Sequence, residues 1–398
     1  MTSPATHDAD AELLALAKAM ADNDHEVKRS TAEWAAATIG QHDRVDADRE
    51  SRFAADDWRR CAQQGIQAVR VPTEMGGRGR DLATTLLTLE GLGYGSRDNG
   101  LAFAIGSQIL STQETIVRFG TPEQQGAWLP RLIGGDALGA FAMTEPESGS
   151  DAYQLATTAV RRDDTYVLNG HKAYITLGSR CDMVIVFAST NPAAGRWGLS
   201  AFLVPTDVDG VERLPNREKM GMRTTPFGDI TLTDAVVPAS ALIGREGAGA
   251  SIFNSVLEVE RSFVFATQIG SLERQLDETI AYANEREQGG HPIGHYQAVG
   301  HRIADMKQRH ESARLFLYRA ALAFVTGNQV AMSAALSKLV ASETGIAAAL
   351  DGAMVYGAKG YVSEFEVERD LRDAIGGVVY SGTSDIQRNI IARLLGVG

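Results

Sequence analysis

Apolar residues fall at helical spacing through the first third of the chain, shift to alternating and β-branched runs in the middle, and then return to helical spacing. Segments 11–21, 53–65, 84–93 and 100–110 each carry the three-and-four spacing of a helix, with Gly65 placed to end the second. Another helix is predicted to start at TPEQQ, with Thr121 as N-cap and Gln124 in the capping-box position. From about residue 137 the pattern changes: 165–176, 182–190, 199–206 and 228–237 read as strands separated by Asn, Gly, Asp and Pro turns, with Pro205 and Pro238 at turns. IGREGAG at 243–249 has glycines but no preceding β-α-β unit, so it reads as a sheet-to-helix connector and not a dinucleotide fingerprint. Long helical stretches follow at 250–287, 296–326 and 332–357, with a last helix at 384–395.

The pattern predicts an α+β, mostly helical protein: an N-terminal helical domain over 1–136, a small antiparallel β-domain over 137–245, and a C-terminal four-helix bundle over 246–398. The length of 398 residues suits two or three well-buried cores, and 44% apolar with 22% charged residues fits a soluble globular protein. A net charge of −12 without a Lys/Arg cluster argues against nucleic acid or anionic membrane as a partner. Cys61 and Cys181, the two cysteines, fall in different predicted domains, which fits a reducing cytoplasm. The opening residues lack a basic leader pattern, and no window holds the ~18 uncharged apolar residues of a membrane span.

Candidate chemistry gathers in two places. FAMTEPESGSD (141–151) is followed by NGHKAYIT (169–176). Thr144 and Thr176 put hydroxyls at two predicted strand ends, and Ser148, Gly149 and Ser150 offer backbone N–H groups in a loop. A flat polar ring joined to a pyrophosphate would suit such a set, and so would a plain polar turn. In LEVER (257–261), Glu260 has Phe253, Val256, Phe263 and Val264 on its own helical face, whereas Glu258 shares its side with Asn254, Ser255, Arg261 and Ser262. A glutamate in an apolar stripe is either functional, desolvated toward the pKa of a general base, or neutralised by an arginine. His291, His295, His301 and His310 lack a ligand-like companion pattern and read as structural or solvated, with no metal site predicted. No GxSxG, HExxH or Walker A pattern occurs.

These segments, with VPTEMGGRG (71–79), EKMGMR (218–223) and YSGTSDIQRNIIARLL (380–395), resemble the acyl-CoA dehydrogenase family over some 320 residues. The resemblance implies an acyl-CoA dehydrogenase-like fold, FAD as cofactor, and α,β-dehydrogenation of an acyl thioester. It assigns Phe141, Met143, Thr144, Gly149 and Ser150 to a first flavin loop and Tyr174, Ile175 and Thr176 to a second. Arg286, Gln297, Gly357, Thr383 and Asp385 match residues that meet the cofactor's pyrophosphate and adenine across a subunit interface, which implies a homotetramer or at least a dimer. Ser384 and Gln387 read as a capping-box pair that aims a helix N-terminus at the cofactor. Gly289 and Met354 replace the family's usual Phe and Gln and put its adenine end in question.

Most family members carry their base in a YEGT motif, but the corresponding residues here are Tyr380, Ser381, Gly382 and Thr383. Serine cannot take a proton from a thioester α-carbon. One branch of the family places its glutamate on the long helix beside an arginine, and Glu260 with Arg261 matches that arrangement. The implied mechanism uses Glu260 as base and the backbone N–H of Ser381 as an enolate-oxygen donor, so the Ser381 side chain is expected to matter little. SGTSD (381–385), ALSKLVASE (335–343) and SARLFLYRA (312–320) look most like dehydrogenases of prolyl groups tethered to a carrier protein. The alternatives are a short or branched acyl-CoA dehydrogenase, a flavin monooxygenase or oxidase, or a base-less binding protein on the same fold. The implied electron acceptor is an electron-transfer flavoprotein, a quinone route or oxygen.

Overall fold

The computed structural model describes residues 9–41 and 43–397. The opening residues 1–8, on which the absence of a leader is read, lie outside them. The first layer is helical: α1 (Ala9–Ala21), α2 (Glu26–Thr38), α3 (Arg44–Arg49), α4 (Ala55–Gln63), α5 (Leu82–Ser96), α6 (Asn99–Ser107), α7 (Glu114–Phe119) and α8 (Pro122–Ile133). The capping box at Thr121 and Gln124 forms, and Gly65 follows α4 at φ +81°, a left-handed stop that glycine adopts without strain. Between α6 and α7 the chain widens into a buried π-helical turn, Gln108–Gln113.

The sheet that follows has strands β1 (Gly139–Ala142), β2 (Thr158–Arg162), β3 (Thr165–Thr176), β4 (Met183–Ser189), β5 (Leu199–Pro205), β6 (Val211–Arg213), β7 (Phe227–Pro238) and β8 (Leu242–Ile243). Their order is β6-β7-β3-β2-β4-β5-β8, with β1 added on β4. Most pairs are antiparallel as the hairpin signals predict, but β1 runs parallel to β4, and β2 meets β4 in parallel at Thr158 and Ser189. These parallel pairs escape the sequence pattern because they join segments separated by loops and not by tight turns. In the β3–β7 ladder the register slips between Lys172 and Ile175. Tyr174 takes φ +61° in this bulge and turns out to solvent.

The C-terminal layer holds α9 (Gly249–Phe263), α10 (Ala266–Glu285), α11 (Gln297–Thr326), α12 (Val330–Tyr356), α13 (Val367–Ile375) and α14 (Ser384–Leu394). α10, α11 and α12 pack on one another, and α14 packs on α12. The stretch predicted as one helix over 250–287 is therefore two. Its break has neither Pro nor Gly to announce it. It comes where consecutive buried side chains are drawn to different neighbours, Phe263 against Phe324 and Phe265 against Tyr380. α10 also lies almost backbone to backbone with α5. A Cβ added at Gly93 would stand 1.9 Å from the Thr267 carbonyl oxygen, and one at Gly270 1.9 Å from that of Glu90. Only glycine permits that crossing, which seats the bundle and the helix leading into it against the first layer.

Candidate active site

The site forms where α9 and the 379–383 turn face each other. Glu260, near the end of α9, is 8% exposed, and the Ser381 hydroxyl donates to its Oε1 at 2.7 Å. The serine reaches it because Ser381 and Gly382 are both left-handed, at φ +58° and +85°. Gln387, fully buried, holds that turn by donating from Nε2 to the carbonyls of Gly382 at 2.9 Å and Ser381 at 3.4 Å. Thr383 is the N-cap of α14, its hydroxyl accepting from the Ile386 N–H at 3.2 Å. The predicted capping box at Ser384 and Gln387 is thus corrected by one residue. Thr383, not Ser384, has the non-helical backbone a cap requires (φ −55°, ψ 160°), and Gln387 is committed to the turn.

Burial pushes the Glu260 carboxyl above its ordinary range, opposed by the Ser381 hydrogen bond and by the charges of Arg261 and Lys338. Arg261 is drawn down by burial against the pull of Glu260 and Glu258, and its Nε is buried without a hydrogen-bond partner. Burial also drives the Tyr380 phenol far up, with Glu260 adding to it. The result is a buried carboxylate with, among the described residues, a single hydrogen-bond donor, its basicity raised above that of an ordinary glutamate. The expectation that the Ser381 side chain matters little is revised: its hydroxyl is that donor.

The two predicted flavin loops lie together at the ends of β1 and β3. The Ala173 N–H donates to the Thr144 carbonyl at 2.9 Å and ties one loop to the other. The fully buried Lys172 ammonium donates to the Met143 carbonyl at 3.1 Å and to Glu145 Oε1 at 2.8 Å. Glu145 also accepts from the N–H groups of Ala156 at 2.6 Å and Thr157 at 3.1 Å. Burial works to raise Glu145, but these donors overcome it and hold the carboxyl below its usual range. Burial brings Lys172 down to about 8. Phe141 stacks on Phe253 of α9 at 6.1 Å, and Tyr153 donates to Asn254 at 2.6 Å, so the loop closes over the helix that carries Glu260.

The residues present fit a flat polar group with a phosphate tail. Among the described residues the Thr144 and Thr176 hydroxyls have no protein partner, and a Cβ built on Gly149 meets nothing within 4 Å. Ile175 is buried and Tyr174 exposed beside them. Thr383 caps α14 and the exposed Asp385 lies in its first turn, just after the Ser381 turn. Arg286, Gln297 and Gly357 do not join them. The first two flank the α10–α11 connection, and stacking of Tyr282 on Tyr356 at 4.1 Å brings Gly357 to that end. Gly357 stands 19 residues beyond Lys338, about 28 Å along α12. Gly289 lies in the same connection at φ +61°, a left-handed backbone that would strain a Phe, and a Cβ there would displace the Tyr296 hydroxyl 2.5 Å away. Met354 is exposed on α12.

Sequence reasoning missed Lys172, Glu145 and Lys338 as parts of this region. For Lys338 the signal was present, a lysine within the small-residue run ALSKLVASE. It also missed the carboxylates near His310, whose ring nitrogens lie 3.7 Å from Glu273 and from Glu311. No group of three or more potential ligands suits a metal ion among the described residues, and no helix among them is long and apolar enough to cross a membrane.

Models of the acyl-CoA dehydrogenase N-terminal, middle and C-terminal domains match residues 21–136, 140–235 and 247–396. The chain belongs to the acyl-CoA dehydrogenase family. Family members are oxidoreductases that act on CH–CH bonds. An L-prolyl-[peptidyl-carrier protein] dehydrogenase of Pseudomonas fluorescens is 38% identical over 92% of this chain and 94% of its own. The crystal structure of the prolyl acyl carrier protein oxidase AnaB superposes with a TM-score of 0.91 at 38% identity, covering 93% of this chain and 98% of that one. PigA with FAD and proline does so with a TM-score of 0.90 at 32% identity over the whole of both chains. In this acyl-CoA dehydrogenase fold Ser381 and the buried Glu260 are thus one hydrogen bond apart.

Proposed function

We propose that this chain is an FAD-dependent dehydrogenase that introduces an α,β double bond into an acyl thioester, with a prolyl or similar aminoacyl group on a carrier protein as substrate. The observation that carries the reading is the buried Glu260 carboxylate 2.7 Å from the Ser381 hydroxyl. Its family setting, beside relatives named for prolyl carrier-protein substrates, supplies the substrate class.

In this mechanism Glu260 removes the α-proton onto a carboxylate oxygen, burial having matched its basicity to the task. The Ser381 backbone N–H, presented by the left-handed turn, faces the thioester oxygen as negative charge develops there. Arg261 keeps positive charge beside the base. Phe141, Met143, Thr144, Gly149 and Ser150, with Tyr174, Ile175 and Thr176, would hold the flavin. Bound flavin supplies the acceptor for the β-hydride. We assign Thr383 and Asp385, with Arg286, Gln297 and Gly357 at the far end of α12, to cofactor contacts completed by a second copy in a homo-oligomer, a tetramer in the fullest form. An electron-transfer flavoprotein or oxygen would be the final electron acceptor, and the buried unpaired cysteines suit a reducing cytoplasm.

Anaerobic bleaching of the bound flavin tests this. Prolyl carrier protein is expected to bleach it, and acyl-CoA esters are not. Bleaching by CoA esters alone would replace the carrier protein with ordinary acyl-CoA, and bleaching by neither would end the dehydrogenase reading.

A further inference from the structure

Lys338, on α12, is fully buried, and its Nζ has no hydrogen-bond partner. Lysine is almost never buried unless paired, because taking an ammonium out of water costs several kcal/mol before any compensation. The other fully buried lysine, Lys172, has two acceptors. α12 packs on α9, and the anion with the largest influence on Lys338 is Glu260.

Lys338 is not the only cation that acts on this carboxylate, since Arg261 acts on it more strongly, but the other neighbours are neutral or divided between partners. On α9 itself, Arg261 is shared between Glu260 and Glu258, and Glu258 is also drawn to Arg118. On the facing turn, Ser381 is neutral and Tyr380 keeps its proton, with its hydroxyl toward Gln268 of α10 at 3.4 Å. Farther along α12, Glu343 acts on Lys338 but is itself paired with Arg388 of α14. Burial pushes Glu260 toward the protonated form, which cannot accept a proton. We propose that Lys338 is a positioning residue for the proton-transfer step, its unpaired buried ammonium holding Glu260 in the ionised form that can accept a proton. This rests on Glu260 being the base.

The interaction is reciprocal. Burial depresses Lys338 to about 8, and Glu260 resists that fall as Lys338 resists the rise of Glu260. The lysine therefore needs no hydrogen bond to act, which distinguishes its role from that of Ser381.

The test is the ionisation of Glu260 in the flavin-loaded protein. It is read as the infrared carboxyl band that Glu260→Gln removes, and in parallel as the pH profile of flavin reduction. Lys338→Met and Lys338→Gln should both move the disappearance of that band to higher pH. Both should lose about tenfold in reduction rate near pH 6 and recover most of it near pH 9. Unchanged titration in both variants, or restoration by Gln alone, would overturn the proposal, since Gln retains hydrogen bonding without charge. If neither variant folds, Glu260→Gln carries the test. Without its anion Lys338 falls further below its unfolded value, so stability should rise from about pH 7 to 10 more steeply than in the parent. Equal slopes would reject the coupling. A Glu260→Gln protein that still reduces flavin would overturn the base assignment and leave the Lys338–Glu260 coupling to be judged by stability alone.

Discussion

Glu145 and Glu260 are buried to nearly the same degree, 4% and 8% exposed, yet they are driven in opposite directions. Glu145 has Lys172 at 2.8 Å and two backbone N–H groups, and its carboxyl is held ionised and inert. Glu260 has one neutral hydroxyl, and the cations near it act through space. Surface exposure does not by itself decide what a carboxylate does; the depth of its surroundings and the donors aimed at it decide together. A saturated carboxylate fixes a loop, and a starved one can trade protons.

The contrast can be broken most sharply at Glu260. Glu260→Gln should cut anaerobic flavin reduction by about 10³-fold with cofactor content preserved, measured by stopped-flow absorbance. On the other side, Lys172→Met should leave Glu145 buried without its cation. That should cost about 3–5 kcal/mol in denaturant unfolding and release FAD on dilution. If Lys172→Met instead lowered turnover with FAD still tightly held, the division between a structural and a reactive carboxylate would fail.

Ser381→Ala sharpens the comparison at its narrowest point. The lost hydroxyl stabilised the ionised form, so the Glu260 carboxyl rises further. Flavin reduction should fall by roughly tenfold on the acid side and be regained as pH rises, with flavin content unchanged. A loss that is flat with pH would place Ser381 in substrate binding instead. The smallest effect is expected for Thr383→Ala, which removes the cap of the helix behind that serine. It should cost about 1 kcal/mol and reduce hydrogen-exchange protection in α14 while sparing β3 around Lys172.

Much of this arrangement was legible in the residues. Periodicity separated helical from sheet regions, and the apolar stripe of α9 singled out Glu260 over Glu258, which is only partly buried in the structure. What escaped was set by contacts distant in sequence. The Ser381–Glu260 hydrogen bond joins residues 121 positions apart, and its direction depends on two left-handed residues that sequence pattern does not encode for serine. The break after Phe263 falls between residues with different aromatic partners and has no breaker residue to mark it. The cap on α14 moved by one because Thr383 and Ser384 are both competent, and only the turn preceding them decides.

The 2.7 Å bond between Ser381 and Glu260 also bears on how such a site changes over evolutionary time. Two backbone positions, one on a helix and one on a turn, address the same small volume. An acidic side chain on either one would reach that volume, so the scaffold leaves a proton acceptor two places to stand.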